Sequence, residues 1–353
     1  MTNASTASVP STLEAVESLL CTRDLRLQRA WPRDEHHLLL EASTGRASVA
    51  GQWFASADRA AEVAGKTPGA ELLGPIVLQP DGADRRLPGL ASLLRGDGAE
   101  LVTHRPEKRA VVRLPRSGGP DAPAYAKVVR RSVLETVARS ARAAAGLPVR
   151  TPPVLRVDAR DSAVVTAALP GRILHDLLDT PAALHACRAA GRALALVHRS
   201  PVPPGLRRHH DADELAVLRR WQQLALAHGL APAFPVPAVD LPGRPVGDGQ
   251  HLAPIHRDFH DKQVVVADDG EVGVLDFDLM ALGAPMLDLA NFLVHLDLRA
   301  VQRLVADAGP LRGAVLEGYQ PTEAQVRQLS RHEQTTWQRL AAVYAFRPPR
   351  STT

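Results

Sequence analysis

His256-Arg257-Asp258-Phe259-His260-Asp261-Lys262-Gln263, followed by Val264-Val265-Val266-Ala267, the turn-like Asp268-Asp269-Gly270-Glu271 and Val272-Gly273-Val274-Leu275-Asp276-Phe277-Asp278, is the stretch on which the reading of this chain turns. Two short β-branched runs flank Asp269-Gly270, a favoured two-residue hairpin turn. With those two residues as the turn, Asp268 faces Glu271, Val266 faces Gly273 and Gln263 faces Asp276. Directly opposed residues have Cβ atoms about 4.5–5.5 Å apart. The arithmetic therefore sets an amide oxygen beside a carboxylate, both hard oxygen donors of the kind Mg²⁺ takes. His256, Asp258 and His260 alternate in the polar loop before the hairpin, and Asp278 follows it. Carboxylates on apolar strands are costly to bury unless a cation or hydrogen bonds compensate, so the cluster predicts a cation-binding site.

Around this stretch the chain reads as an ordinary globular protein. Its 353 residues, 45% apolar and 23% charged, suggest two domains. Two distant cysteines, Cys21 and Cys187, exclude a disulfide scaffold and a Cys-rich zinc module. No apolar run approaches the ~18 residues of a membrane helix, and the opening residues carry no signal-peptide pattern. The expectation is a soluble, cytoplasmic protein with no membrane partner. The net charge is +4, but its distribution says more. Residues 100–150 are strongly basic and residues 258–297 strongly acidic. Two such regions facing one cleft suit an anionic ligand that carries a cation. There is no long basic run and only 4% of the residues are aromatic, so no nucleic-acid partner is expected.

The order of elements points to an α+β fold. Residues 1–11 read as disordered and 12–20 as a short helix, with a hairpin around Ser43-Thr44-Gly45-Arg46. A Gly/Pro/Asp-rich stretch runs from Gly65 to about Gly98. Leu101–Thr103, Ala110–Leu114 and Ala124–Val129 read as an antiparallel meander, its second connection being Ser117-Gly118-Gly119-Pro120. A helix over 132–145 and strands Val154–Val157 and Ala163–Ala168 follow. Helices are expected over Ala182–His198, Leu287–His295, Val301–Ala308 and Glu323–Phe346, and a surface loop over Pro232–Gly249. Strands before helices make a β-rich lobe on a helical lobe.

H-R-D-F-H-D-K-Q followed by L-D-F-D resembles the aminoglycoside phosphotransferase and choline kinase-like family of small-molecule kinases. That family's pattern is H-x-D-x-x-x-x-N, a hairpin, then an apolar residue and D-x-[D/E]. Gly283-Ala284-Pro285 with Asp288-Leu289-Ala290 fits as well. The resemblance covers roughly residues 100–300. It implies a bilobal protein-kinase-like fold, with a β-rich N-terminal lobe over 100–168, a helical C-terminal lobe over 169–353 and an extra N-terminal region over 1–99. It also implies ATP (or GTP) and Mg²⁺ as cofactors and a hydroxylated small molecule as acceptor.

Carried over residue by residue, the resemblance makes Asp258 the catalytic base. Gln263, Asp276 and Asp278 become the metal ligands, with Gln263 standing where the family has Asn. His256 and Asp288 support the catalytic loop. Lys127, a lysine in an apolar strand, would contact phosphates, and Glu135 in the next helix would hold it. The loop that covers ATP in the family is here His104-Arg105-Pro106-Glu107-Lys108-Arg109, without glycine, so Arg105, Lys108 or Arg109 would supply side-chain charge instead. Val165–Leu169 with Pro170-Gly171 is similar to the hinge that binds adenine through its backbone.

Rival readings are weaker. A protein kinase would carry D-F-G, a glycine loop and A-P-E. A zinc hydrolase would want further His or Cys ligands at suitable spacing. Gly65-Lys66-Thr67 lacks the glycine a P-loop needs at position 60. The departures at Gln263 and in the phosphate loop leave one alternative, a catalytically degenerate kinase-like binding protein. Residues 200–255, of both charge signs, are the expected acceptor pocket.

Overall fold

Capping chemistry starts the first ordered element of the chain. In the computed structural model, which describes residues 10–45, 47–115, 123–236 and 251–348, the Ser11 hydroxyl accepts from the Glu14 amide and the Glu14 carboxylate accepts from Ser11 N–H. This reciprocal box opens helix α1 (Thr12–Cys21). Five antiparallel strands follow: β1 (Arg26–Asp34), β2 (His37–Ser43), β3 (Ser48–Phe54), β4 (Glu71–Leu73) and β5 (Ile76–Gln79), with helix α2 (Ala57–Gly65) between β3 and β4. Their order in the sheet is β1-β2-β3-β5-β4. The β2–β3 hairpin pairs His37 with Phe54 and Ser43 with Ser48, and Gly45 in its turn has φ +86°. Arg46 of the expected turn, and residues 1–9 of the expected disordered end, lie outside the described residues. Leu13, Val16 and Leu20 of α1 share one core with Leu27, Leu38, Leu40 and Ile76.

The second sheet carries the expected meander. After helix α3 (Leu90–Leu94) come β6 (Glu100–Arg105), β7 (Arg109–Leu114), β8 (Ala124–Val129), helix α4 (Leu134–Ala144), β9 (Val154–Asp158) and β10 (Ala163–Ala167). The strand order is β6-β7-β8-β10-β9. Lys127 sits on the central strand, paired with Val111 on one side and Val164 on the other. The expected connection at 117–120 is outside the described residues.

The rest is mainly helical. It comprises β11 (Arg172–Ile173), α5 (Ala183–Arg199), β12 (Arg208–His209), α6 (Asp211–Ala227), β13 (Ala253–Ile255), β14 (Val264–Val266), β15 (Val272–Val274) and β16 (Ala281–Gly283), then α7 (Met286–Val301), α8 (Gly309–Tyr319) and α9 (Glu323–Tyr344). Much of the expected loop Pro232–Gly249 is outside the described residues. Helix α7 is buried nearly all round and runs through the core. The expected helix over Val301–Ala308 is not there. Arg303 takes a left-handed conformation at φ +59°, and α8 starts later, with Pro310 in its first turn where a missing N–H costs nothing. No helix among the described residues is long and apolar enough to cross a membrane.

The first sheet is fastened to the helical part. Ala225 of α6 and Phe346, just past α9, belong to its core. The Ala30 amide donates to the Phe346 carbonyl at 2.8 Å and Thr12 N–H to the His228 carbonyl at 3.1 Å. The expected hairpin accounts for β2 and β3 of this sheet, and β1, β4 and β5 have no counterpart among the expected strands. Strand β1 contains Pro32 and three arginines, and β5 is a four-residue run hidden in the Gly/Pro/Asp-rich stretch.

Helices α5 and α8 touch through glycine. A Cβ on Gly318 would overlap the Arg188 carbonyl, and one on Gly191 the Val315 carbonyl, whereas one on Gly313 meets nothing within 4 Å. Gly318→Ala is therefore expected to destabilise by roughly 1–3 kcal/mol through overpacking. Gly313→Ala, within the same helix, is expected to stabilise by about 0.5–1 kcal/mol. Urea unfolding of the two variants reads both signs.

Candidate active site

The hairpin turns one residue differently from the expected geometry. The observed pairs are Val264 with Val274, Val265 with Gly273 and Val266 with Val272. Ala267 N–H donates to the Glu271 carbonyl and Gly270 N–H to the Ala267 carbonyl, both at 2.9 Å. The loop is thus Asp268-Asp269-Gly270, a three-residue connection with its glycine left-handed at φ +80°. Pairing shifts with it, as a one-residue slip must. Gln263 lies against Leu275, whose amide donates to the Gln263 carbonyl at 2.8 Å. It does not directly oppose Asp276. Asp276 instead leaves the strand in a left-handed conformation, φ +58°, and a 3₁₀ turn over Phe277–Leu279 follows. Arg257, next to Asp258, is likewise at φ +68°. Such residues cost about 1–3 kcal/mol each and persist only where surroundings hold them.

A buried carboxylate does the holding at Arg257. Asp288, in the first turn of α7 and fully buried, accepts from the backbone amides of His256 at 2.6 Å and Arg257 at 2.7 Å. His198 Nε2 stands 3.1 Å from the same carboxylate, and its Nδ1 meets the Tyr319 hydroxyl at 2.8 Å. His256 Nδ1 accepts from Asp258 N–H at 3.2 Å, so its Nε2 carries the proton it donates to the Leu275 carbonyl at 2.7 Å. Two residues of the catalytic-type loop and the foot of the hairpin are thereby fixed to each other. Asp261 anchors the other end of the loop. It is fully buried and accepts a bidentate pair from Arg299 at 2.9 and 2.8 Å. Burial alone would raise its carboxyl, but His175, His260 and Arg299 more than offset that and hold it low. His198, Tyr319, His175 and Arg299 were not singled out from sequence, because each lies far along the chain from the motif it supports.

Opposite the loop, charge closes the site. Lys127 Nζ donates to Asp276 Oδ1 at 2.8 Å and to Asp278 Oδ1 at 3.0 Å. Arg109 Nη1 lies 3.2 Å from Asp276 Oδ2 and 3.6 Å from Asp278 Oδ2. Burial would raise the Asp276 carboxyl, yet Lys127 and Arg109 hold it well below the usual range. The side chains of Lys127 and Asp276 are each 21% exposed, so a ligand can reach them. Among the described residues no three His, Cys, Asp or Glu side chains form a ready metal cage. Asp276 and Asp278, which meet at the Lys127 ammonium, nevertheless offer the kind of oxygen donors Mg²⁺ takes, one or two carboxylates with phosphate oxygens and water completing the shell.

One expected contact is corrected, and two basic residues of the loop lie away from the aspartates. Glu135 is exposed in the first turn of α4 and pairs with Arg142 at 3.5 Å. It makes no ion pair with Lys127, whose ammonium is taken by the two aspartates. Arg105 lies over the Trp31 ring, 5.2 Å from its centroid. Lys108 faces Arg33, Arg130, Arg105 and Arg220, and burial together with those charges lowers its pKa. Of the three basic loop residues only Arg109 reaches the aspartates. The cause is Glu107, buried and left-handed at φ +55°. Its carboxylate holds Arg33 at 3.1 Å, Arg85 at 2.6 Å and Arg86 at 3.2 Å. Its amide donates to Asp84 at 2.7 Å. The loop is bolted to the first hundred residues.

The profile of the phosphotransferase enzyme family (APH) matches residues 98–329. Among solved structures, an aminoglycoside phosphotransferase from Streptomyces rimosus is similar at 19% identity and a TM-score of 0.49, over 70% of this chain and 97% of that one. A macrolide 2'-phosphotransferase from Brachybacterium faecium is similar at 19% identity and 0.45, over 72% and 93%. A choline/ethanolamine kinase family protein from Mesorhizobium loti follows at 18% and 0.42, over 69% and 77%. No curated protein matches the sequence.

The low carboxyl of Asp276 has a consequence for acid stability. A group whose native pKa lies below its unfolded value, about 3.9, adds stability above that pH and loses it as the pH falls towards the native value. Wild type is expected to lose melting temperature more steeply than Asp276→Asn between pH 4 and pH 2.5. Thermal unfolding across that range checks it, and parallel curves would contradict it.

Proposed function

This chain belongs to the APH phosphotransferase enzyme family, and from that premise we propose that it transfers the γ-phosphoryl group of ATP, or of GTP, to a hydroxyl of a small molecule. The observation that carries the reading is the cross-cleft cluster of Lys127 and Arg109 with Asp276 and Asp278, set beside the braced Asp258 loop. Phosphoryl transfer needs positioning and charge neutralisation more than covalent chemistry, and these residues supply both.

Asp276, Asp278 and the Gln263 amide oxygen would hold Mg²⁺, which supplies neutralising charge at the phosphates. Gln263 carries the same amide oxygen as the Asn expected there, on a longer stem. Lys127 and Arg109 are already gathered at the aspartates, and their donors can pass to phosphate oxygens when nucleotide enters. Asp258 is the base. Its side chain is 41% exposed, so an acceptor hydroxyl can approach it. As the acceptor oxygen bonds to the γ-phosphorus, its proton passes to Asp258 and the bond to the β-phosphate oxygen breaks, leaving ADP. Asp288 and His256 act through the backbone and keep Asp258 on station.

Calorimetry tests this without knowledge of the acceptor. ATP is expected to bind only with Mg²⁺, and Asp276→Asn to weaken binding at least tenfold. Asp258→Asn is expected to keep nucleotide affinity within about twofold and to slow transfer 10²–10⁴-fold, as loss of a general base does. A folded wild type that binds neither ATP nor GTP would overturn the proposal. Nucleotide binding with no transfer to any hydroxylated compound would favour the degenerate binder.

A further inference from the structure

The first sheet brings positive charge within electrostatic reach of Asp258. Trp31 on β1 is 9% exposed, and its ring carries two guanidiniums, Arg29 at 5.0 Å and Arg105 at 5.2 Å. The Ala30 amide grips the Phe346 carbonyl, which brings the next residue, Arg347, to the same place. The Arg347 guanidinium lies 3.7 Å from the centroid of Tyr344. Among the described residues, none of Arg29, Arg105 and Arg347 has a carboxylate within salt-bridge distance. The Nε atoms of Arg105 and Arg347 are buried without a hydrogen-bond partner.

Their surroundings are known. Arg29 stands opposite Glu41 in the β1–β2 register and is near enough to Asp258, Tyr344 and Arg109 to feel their charges. Burial and the neighbouring arginines push Arg105 and Arg347 down to about 10. Burial likewise raises Glu41, so the one acid opposite Arg29 is itself a reluctant counter-ion. The guanidiniums are half-buried, and the two orphaned Nε–H donors among them leave hydrogen bonds unmade at a cost; such donors in a native fold call for an unseen partner. The nucleotide phosphates have their own cations in Lys127 and Arg109. A polycationic acceptor would be repelled.

Resting on the kinase reading above, we infer that the first sheet is the acceptor-recognition wall, and that Arg29, Arg347 and Arg105 bind an anionic group, carboxylate or phosphate, on the hydroxylated molecule whose hydroxyl meets Asp258. Guanidinium forks suit both groups because they bind planar or tetrahedral oxyanions through paired N–H donors. Glu41 then sets the strength of the site by partly neutralising Arg29.

The test uses the full chain saturated with AMP-PNP and Mg²⁺, and two carbon frames, each with neutral and anionic members. One is glucose, glucosamine, glucuronate and glucose 6-phosphate; the other is glycerol, glycerate and glycerol 3-phosphate. Calorimetry is expected to show at least one anionic member binding tenfold more tightly than its neutral parent, and the carboxylate and phosphate arms identify which oxyanion is preferred. Arg29→Gln and Arg347→Gln are each expected to reduce that binding at least tenfold with AMP-PNP affinity unchanged within twofold. Glu41→Gln is expected to tighten it. Anionic members binding no better than neutral or cationic ones would overturn the inference. So would arginine variants that weaken AMP-PNP instead, or a Glu41→Gln that weakens the anion. Absence of AMP-PNP binding in wild type would be a failure of the kinase reading, and the same anion series without nucleotide would then decide the inference on the same criteria.

Discussion

Asp276 is a carboxylate that its own burial works to protonate, and the molecule is arranged to prevent that. Lys127 comes from the centre of the second sheet and Arg109 from the start of the neighbouring strand. Both reach Asp276 and Asp278, which sit where the β14–β15 hairpin ends. The charge cluster therefore joins the β-rich part to the helical part at the point where chemistry is proposed. Its strength depends on low local polarity, since a pair that is only about a fifth exposed is screened far less than a surface pair. It remains open enough for the cations to exchange carboxylate oxygens for those of a ligand.

The glycine-free loop makes sense against this arrangement. A glycine-rich loop wraps phosphates with backbone amides because glycine tolerates left-handed conformations. Here one residue of the loop, Glu107, is left-handed, and the conformation is enforced by three arginines and Asp84 from the first hundred residues. A loop held in this way has given its carboxylate and an amide to the scaffold. Contact with the aspartates of the site passes to one side chain, Arg109. The first hundred residues are thus a structural part of the loop that carries Arg109, and the first sheet, through Ala30 and Phe346, is tied to the segment just past α9.

Much of this was legible in the sequence where local rules govern. The meander over 100–129 followed from alternating apolar runs and turn residues, and Lys127 stood out as a charge in an apolar strand. The motif from His256 to Asp278 assembled the loop and hairpin correctly but missed the register by one. Asp269-Gly270 fits a two-residue turn as well as the end of a three-residue one, with Gly270 left-handed in either, and only the ladder pairing of the folded chain, Val266 with Val272, separates them. Long-range partners were not legible. Nothing near His256 announces His198 or Tyr319. Glu135 suggested an ion pair as the one glutamate of the following helix, but it sits exposed in the first turn of α4 beside Arg142. The first sheet was obscured for a different reason. Strand β1 alternates poorly because its pairing with β2 shifts register at Leu27/Arg29 and again at Pro32/Asp34, which leaves Ala30, Trp31 and Pro32 buried in a row.

That irregular strand is also the strongest argument about specificity. A strand whose only duty was to close a hydrophobic core would not carry arginines around a tryptophan, with the C-terminal Arg347 stacked on Tyr344 close by. Each guanidinium loses hydration there, and the two carboxylates that bear on Arg29 are Glu41, itself desolvated, and Asp258, which the proposed reaction needs as a base. An anionic acceptor resolves the conflict. Its oxyanion takes the arginines, which leaves Asp258 to the hydroxyl. Cations so placed also lower the cost of bringing a second negative ligand beside a triphosphate, an electrostatic barrier that neutral acceptors do not meet. The same wall would work against a cationic acceptor, so the chemistry that fits the catalytic half of this cleft and the charge that fits its N-terminal wall select together for a hydroxylated anion.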